Sequence, residues 1–346
     1  MSEALFSAAK VIGAVAFGLN VAGFLGWVER KQSAVMQDRV GANRAAIFGW
    51  RILGLFHPIA DALKLLTKED FIPKKSSRVL FQAAPSISLG FSLACLAALP
   101  FGGAVEMGGK VWNFQPIESP FGLVFIMAML SVGIHGVMMA GYASGSNYAL
   151  LGGLRGAAQM ISYEVCLAAI LAAPAFLYGT LDLQEMVLWQ TRPLAWGLPA
   201  WGIFTQPLAF VLFVTAGAAL TKRTPFDLPE GESEIVGYHV EYSGMKFGMF
   251  LMTDFIESIV VAGLVTTVFL GGWHMPGLAF QGPAGAVLML ATFALKVFAV
   301  LFLLMQIRWS LPRFRFDQLL DLSWKNILPL ALLNFLVTAW GVYLWQ

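Results

Sequence analysis

Apolar positions along this chain fall in long unbroken runs rather than in alternation. Eight runs approach the roughly 20 residues that a transmembrane helix needs. They are about Phe6–Val28, Val79–Leu99, Phe121–Ala140, Ala157–Tyr178, Ile203–Leu220, Met249–Leu270, Ala284–Gln306 and Ile327–Trp345. A membrane β-barrel would alternate apolar and polar residues over about ten positions. Continuous runs of this length predict helices, because a helix satisfies its own backbone in lipid. The expected fold class is therefore an all-α polytopic membrane protein with eight spans in a single membrane domain, residues 1–346.

One polar stretch has a different period. Residues Trp50–Lys68 predict an amphipathic helix. His57, Asp61, Lys64 and Lys68 recur at helical spacing, opposite Phe56, Ile59, Ala60, Leu63 and Leu66. Such a helix lies in the membrane interface or packs on the bundle. A plain anchor with a solvated charged face is the alternative.

Composition sharpens the class. The 346 residues are 58% hydrophobic and only 12% charged, about half the charge of a soluble domain. Disorder is excluded on the same ground. The net charge of +2 does not point to nucleic acid. Two cysteines, Cys95 and Cys166, are too few for an iron–sulfur cluster, which usually takes four. They form no disulfide framework. Phosphate-binding glycine motifs are absent. The first apolar run follows Glu3 and is followed by Arg30 and Lys31, so it reads as a span rather than a cleaved leader.

Charge placement gives an orientation. Ten Lys and Arg lie between Glu29 and Arg78, and the other odd-numbered loops add Arg155, Lys222, Arg223, Lys246, Arg308, Arg313, Arg315 and Lys325. The even-numbered loops hold only Lys110 and Arg192. The odd loops are expected to be cytoplasmic, with both termini on the opposite side of the membrane.

Within the spans, charges are few. Glu164, Asp254, Glu257 and Lys296 fall inside apolar runs, where a charge costs ~2.5–3.5 kcal/mol on insertion scales. Asp254 and Glu257 share a helical face at i, i+3. A structural ion pair, for instance Lys296 with Asp254, would explain them, and so would a proton path. Lys10 lies near a helix end and can snorkel.

The segment Pro225-Phe226-Asp227-Leu228-Pro229-Glu230-Gly231-Glu232-Ser233-Glu234 carries four carboxylates on a side otherwise biased to basic residues, and Glu241 follows. Carboxylates held together do not all ionise at their ordinary pKa. The segment reads either as a proton-accepting element or as an acidic docking surface. Glu29 is also unexplained by topology, standing before Arg30 and Lys31 as the first run ends.

Together these segments resemble the H-subunit family of proton-pumping NADH:quinone oxidoreductase, respiratory complex I. The acidic segment and Tyr238-His239-Val240-Glu241-Tyr242-Ser243-Gly244-Met245-Lys246-Phe247 carry the likeness most strongly. Next is Glu29-Arg30-Lys31 with Ala60-Asp61-Ala62-Leu63-Lys64-Leu65-Leu66-Thr67-Lys68-Glu69. Further matches are Leu154-Arg155 with Ala158-Gln159-Met160-Ile161-Ser162-Tyr163-Glu164, then Gly271-Gly272-Trp273, and Arg308 through Gln318. Departures are Ala42 for a usual Pro, His57 for a common Gln, Leu220 for a frequent Glu, and Asp254 for Glu. The chain is also one residue short between Glu234 and Tyr238.

The resemblance implies a membrane subunit at the junction of the redox and membrane arms. Other peripheral-arm and membrane-arm subunits and membrane lipid would be its partners. Quinone would be the substrate, and flavin and iron–sulfur clusters would sit on partner subunits, none on this chain. The quinone chamber is expected to draw on Glu29, Arg30, Arg44, His57, Asp61, Lys64, Asp227 and Glu230. Proton coupling is expected to draw on Glu164, Glu232, Glu234, Glu241, Asp254, Glu257 and Lys296. Two rivals are the homologous membrane subunit of an energy-converting hydrogenase, and a secondary transporter. Transporters often show inverted repeats and paired broken helices, neither of which is legible here.

Overall fold

The computed structural model describes residues 3–107, 110–194, 197–229, 231, 237–277 and 282–345. Its elements in chain order are α1 (Glu3–Met36), α2 (His57–Thr67), α3 (Arg78–Leu96), β1 (Ala104–Met107), β2 (Lys110–Asn113), α4 (Gly122–Ala143), α5 (Asn147–Tyr178) and α6 (Leu183–Gln190). There follow α7 (Gly202–Thr205), α8 (Pro207–Leu220), α9 (Gly244–Phe269), α10 (Gly282–Ser310), α11 (Phe316–Asp321), a π-helical turn Leu322–Ile327 and α12 (Leu328–Trp345).

Among the described residues, seven helices are long and apolar enough to cross a membrane. The eighth expected span is different. It is the short α7 followed by α8, which has 14 residues and so reaches about 21 Å. Pro207 explains the break, since it has no N–H and its ring crowds the preceding turn. The interruption is tolerated because neighbours re-satisfy it. The Gln206 amide donates to Thr338 Oγ1 at 2.9 Å, and its oxygen accepts from Asn334 at 3.0 Å. The expectation of uninterrupted helices is thus corrected here, and again at the π-helical turn.

Three helices are longer than the apolar runs. α1 continues past Val28 to Met36, because Glu29 and its successors find partners along the bundle. α5 starts ten residues before Ala157. Its Gly153 and Gly156 read as loop in sequence, yet they are where α5 comes against Val137 of α4. A methyl group on Gly153 would lie 3.2 Å from the Val137 carbonyl and 3.3 Å from Gly141 Cα. Small residues let helices approach in this way. α12 is continuous with α11 through the π-helical turn, whose Trp324 donates to Ser162 at 3.2 Å.

The expected helix Trp50–Lys68 forms only from His57, with Pro58 in its first turn. Before it the chain turns at Gly54, φ +82°. Packing of α2 on α9 is close: Gly248 faces Leu65, and Ser243 donates to the Glu69 carbonyl at 2.9 Å. The opposite side of α2 exposes Ile59, Leu63 and Leu66. The all-α expectation also gains a small antiparallel hairpin, β1 with β2, in register Val105 to Trp112. Cys95 and Cys166 are buried and free.

The centre of the bundle is α9, buried along nearly its whole length. It packs on α1, α2, α3, α8 and α10.

The α3–α4 contact yields a prediction. A methyl group on Gly136 would meet the Ser88 backbone nitrogen at 2.7 Å and the Ala84 carbonyl at 2.9 Å, whereas one on Gly133 meets only Phe91 Cβ at 3.9 Å. Gly136→Ala should destabilise the bundle by ~1–3 kcal/mol, the usual effect of overpacking, and Gly133→Ala should be near neutral. Thermal unfolding of the detergent-purified variants measures this; equal transitions would refute it.

Candidate functional site

Most of the charge that the apolar runs exclude gathers at one end of the bundle, around the segment that follows α8. That segment is tied down from two directions, by Gln159 and by Phe314. Gln159 of α5 donates to the Ala219 and Phe226 carbonyls, each at 2.7 Å. Phe226 stacks on Phe314 with ring centroids 5.4 Å apart. The Phe314 amide donates to the Pro225 carbonyl at 3.1 Å.

Consecutive residues of this segment then take different partners. Lys222, in the left-handed region at φ +54°, turns to α9. Its ammonium lies 3.0 Å from Asp254 and 3.4 Å from Glu257, and its side chain is fully buried. Arg223 turns to α1 and donates to Glu29 at 3.1 Å, with its guanidinium 3.9 Å from the Phe255 ring centre. The second oxygen of Glu29 pairs with Arg308 of α10. Arg308 also donates to Thr224 at 3.3 Å. Asp227 pairs with Arg313 at 2.8 Å. Burial pushes the Asp227 carboxyl up to about 6, against the pull of Arg313 and Arg308. Burial also lowers His239 from its ordinary value, with Asp254 pulling the other way.

These groups surround a cavity of about 370 Å³, within the range of small-molecule sites. α1 contributes Gly23, Gly26, Glu29 and Arg30 to its wall, and α2 contributes Pro58, Asp61, Lys64 and Leu65. α9 adds Met252, Asp254 and Phe255, and the tied segment adds Lys222, Arg223 and Asp227, with Arg308 from α10. Arg30 and Asp61 are hydrogen-bonded across it. The arrangement is an apolar slot rimmed by fixed charges of both signs. It can orient a flat polar head while apolar walls take the rest of a molecule.

Of the residues expected to line a chamber, Glu29, Arg30, Asp61, Lys64 and Asp227 do meet in this cavity. Arg44 is exposed and lies outside the wall. His57 is half-buried, its Nδ1 2.8 Å from the Gly54 carbonyl, and stands one residue short of the wall. Glu230, Glu232 and Glu234 lie outside the described residues. Glu241 is half-buried and not part of the wall.

Deeper in the bundle, Asp254 and Glu257 extend the site inward. Ser92 of α3 reaches Glu257 at 3.5 Å. Cys95, one turn along α3, is within electrostatic reach of both Glu257 and Glu164. Glu164 itself is buried and hydrogen-bonded by Ser131.

Lys296 is elsewhere. Its ammonium donates to the Leu270, Gly272 and His274 carbonyls at 2.7, 2.9 and 2.6 Å, closing the far end of α9. Leu270 is sixteen residues, about 24 Å of helix, from Asp254. The pairing of Lys296 with Asp254 is therefore corrected: Lys222 fills that role. The reason is that Lys296 finds free carbonyls where α9 ends, while Lys222 sits at the level of the carboxylates. Lys10 pairs with Glu118 at 3.5 Å.

The sequence reading missed Lys222, Arg223, Arg308 and Arg313 as site residues and counted them only as topological charge. A usable signal was present: two carboxylates at i, i+3 inside an apolar helix demand a cation. Lys222 stands where the preceding apolar run ends, at the same end of the bundle.

Comparison with known proteins supplies the rest. The chain matches the family profile described as NADH dehydrogenase over residues 9–339. It is 43% identical to the first of the NADH-quinone oxidoreductase H subunits of Geobacter metallireducens over 323 residues, covering 93% of this chain and 92% of that relative. It is 43% identical to the H subunit of the same enzyme from Thermomicrobium roseum, covering 94% and 93%. The H subunit from Protochlamydia amoebophila is 40% identical, covering 93% of each.

Asp227 offers a direct measurement. Its carboxyl is expected to titrate near 6, ionised above and protonated below. Removing the Arg313 guanidinium takes away a charge that favours the ionised form. In Arg313→Leu the titration should move up by about one unit or more, leaving about half or more of Asp227 protonated at pH 7. Infrared difference spectroscopy of the carboxyl stretch, assigned with Asp227→Asn, reads this midpoint. An unmoved midpoint would show that Arg313 does not govern it.

Proposed function

The chain belongs to the H-subunit family of NADH-quinone oxidoreductase, and we propose that the cavity between α1, α2 and α9 is where this member receives quinone. The chain is a multi-pass membrane subunit of the oxidoreductase complex. The observation that carries the proposal is that one apolar cavity is walled by Glu29, Arg30, Asp61, Lys64 and Asp227 and also touches Asp254, the outermost of the buried carboxylates.

In this reading the basic end of the bundle faces the cytoplasm. It meets the peripheral-arm subunits, which carry the flavin and iron–sulfur clusters. Both termini face the other side of the inner membrane. α2 lies in the interface, supported by its exposed Ile59, Leu63 and Leu66 beside a charged face. A membrane-arm neighbour receives the coupled proton movement.

Reducing a quinone takes two electrons, supplied by the partner subunits, and two protons. The chain's own residues handle the protons and the charge. The Arg30–Asp61 pair and Lys64 stand at the mouth and orient the polar head. Arg223 and Arg308, fixed by Glu29, stabilise negative charge as it develops. Asp227, titrating near 6, donates a proton at neutral pH more readily than an exposed carboxylate would. The anion's field then acts on Asp254 and Glu257, and through Ser92 and Cys95 on Glu164. The acidic stretch through Glu230, Glu232 and Glu234 extends the same coupling element.

Two variants test this reading. Asp61→Asn removes one partner of a half-exposed pair worth ~0.5–1 kcal/mol. It should raise the KM for a long-tailed quinone about two- to fivefold, with NADH oxidation by an upstream water-soluble acceptor unchanged. Equal loss in both assays would mean failed assembly instead. Glu164→Gln keeps the size and the Ser131 hydrogen bond but cannot ionise. The complex should assemble while coupled turnover falls about tenfold or more. Wild-type turnover and proton uptake in vesicles would remove Glu164 from the path.

A further inference from the structure

We propose that Lys222 is the positioning residue that makes the proton held by Asp254 and Glu257 responsive to charge in the cavity. The inference rests on the quinone reading above and adds a residue and a device to it.

The geometry is that of one cation shared by two acids. The ammonium lies 3.0 Å from an Asp254 oxygen and 3.4 Å from a Glu257 oxygen. The three side chains are 0%, 8% and 2% exposed. With both acids ionised, the triad would leave one uncompensated negative charge out of water. With one proton shared between the acids it is neutral. Burial therefore favours a triad that contains one exchangeable proton.

Among the described residues, no second cation forms an ion pair with either acid. Arg223, the next residue, is engaged by Glu29. On α3 the facing groups are Ser92 and Cys95. From the segment before α9, the Tyr238 ring centre lies 6.0 Å from the ammonium, and His239 feels both Asp254 and Lys222. Asp227 is the next acid along the wall, within the field of Asp254.

Lys222 also forms part of the cavity wall together with Asp254 and Asp227. A lysine ammonium is a compact charge on a flexible four-carbon stem, so it can lean toward either carboxylate or toward the cavity. An anion formed in the cavity competes for it, and the acid pair then binds one more proton. When the anion is itself protonated, the ammonium returns and that proton leaves. One proton enters and one leaves per cycle, and the lysine stays charged throughout. The left-handed backbone at Lys222 is uncommon outside glycine. It lets the Lys222 ammonium reach Asp254 and Glu257 while the Arg223 guanidinium passes over the Phe255 ring to Glu29 of α1.

The test is the pH profile of quinone-dependent NADH oxidation by the assembled complex, with assembly scored by oxidation through an upstream acceptor. Without the ammonium, the pair holds its proton more tightly. In Lys222→Met the acid limb should move up by about 1–3 pH units, with activity at neutral pH down about tenfold or more. Lys222→Arg should restore the limb. A merely structural lysine would lower the amount of complex and scale the whole profile without moving its limb.

An unmoved limb in assembled Lys222→Met overturns the proposal, as does a limb in Lys222→Arg displaced as far as in Lys222→Met. If Lys222→Met leaves no complex, the neutral triple variant Lys222→Met/Asp254→Asn/Glu257→Gln removes the uncompensated charge. It should assemble and show a flattened profile, and wild-type proton uptake by it overturns the proposal. An unmoved limb alongside a raised quinone KM in Asp61→Asn sinks this inference alone. A moved limb with no Asp61→Asn response sinks the quinone reading and keeps the triad.

Discussion

A charge removed from water needs an opposite charge at hand, and that constraint organises this molecule. An isolated ion in a low-dielectric interior is penalised by several kcal/mol even after relaxation. Lys222, Asp254 and Glu257 exist as a group for that reason, and so do Glu29, Arg223 and Arg308. Each set joins elements far apart in sequence. The first fixes the end of α8 against α9; the second fixes α1 against the same segment and α10. The cavity is the space these fixed charges leave between them, and its polarity follows from how the helices are pinned together.

The segment from Thr221 to Pro229 stands at the centre of that scheme because it has no regular structure of its own to hold it. Gln159, Phe314, Arg308 and Arg313 all grip it. A helix would present its side chains at 100° intervals. A gripped loop with a left-handed residue can instead give Lys222 to the α9 carboxylates and Arg223 to Glu29. Irregular backbone is tolerated here because neighbours satisfy its carbonyls, as Gln159 does for Phe226.

Much of this was legible beforehand, and the misses share a physical cause. Apolar runs long enough to span lipid located α3, α4, α9 and α10, with ends displaced by no more than about five residues. The runs failed where helix and apolarity part company: at the polar end of α1, at the glycine-rich start of α5, and at the polar turn joining α11 to α12. They also failed at α8, where Pro207 breaks a mostly apolar run just after the polar Gln206. The cavity residues Glu29, Asp61 and Asp227 stood out as acids on a basic side. Their partners did not, because Arg223, Arg308 and Arg313 look like ordinary stop signals until the fold brings them to a carboxylate. Lys296 was misassigned because sequence gives depth along one helix but not what faces it across the bundle.

The polar clasp at the interrupted helix bears on biogenesis. Gln206 leaves the ribosome well before Asn334 and Thr338, the two residues that satisfy its amide. During that interval an unpaired carboxamide sits in a segment only long enough to span part of the bilayer. α8 therefore cannot settle into its final packing until the last helix has been made. α12 thus closes the Gln206 site from across the bundle.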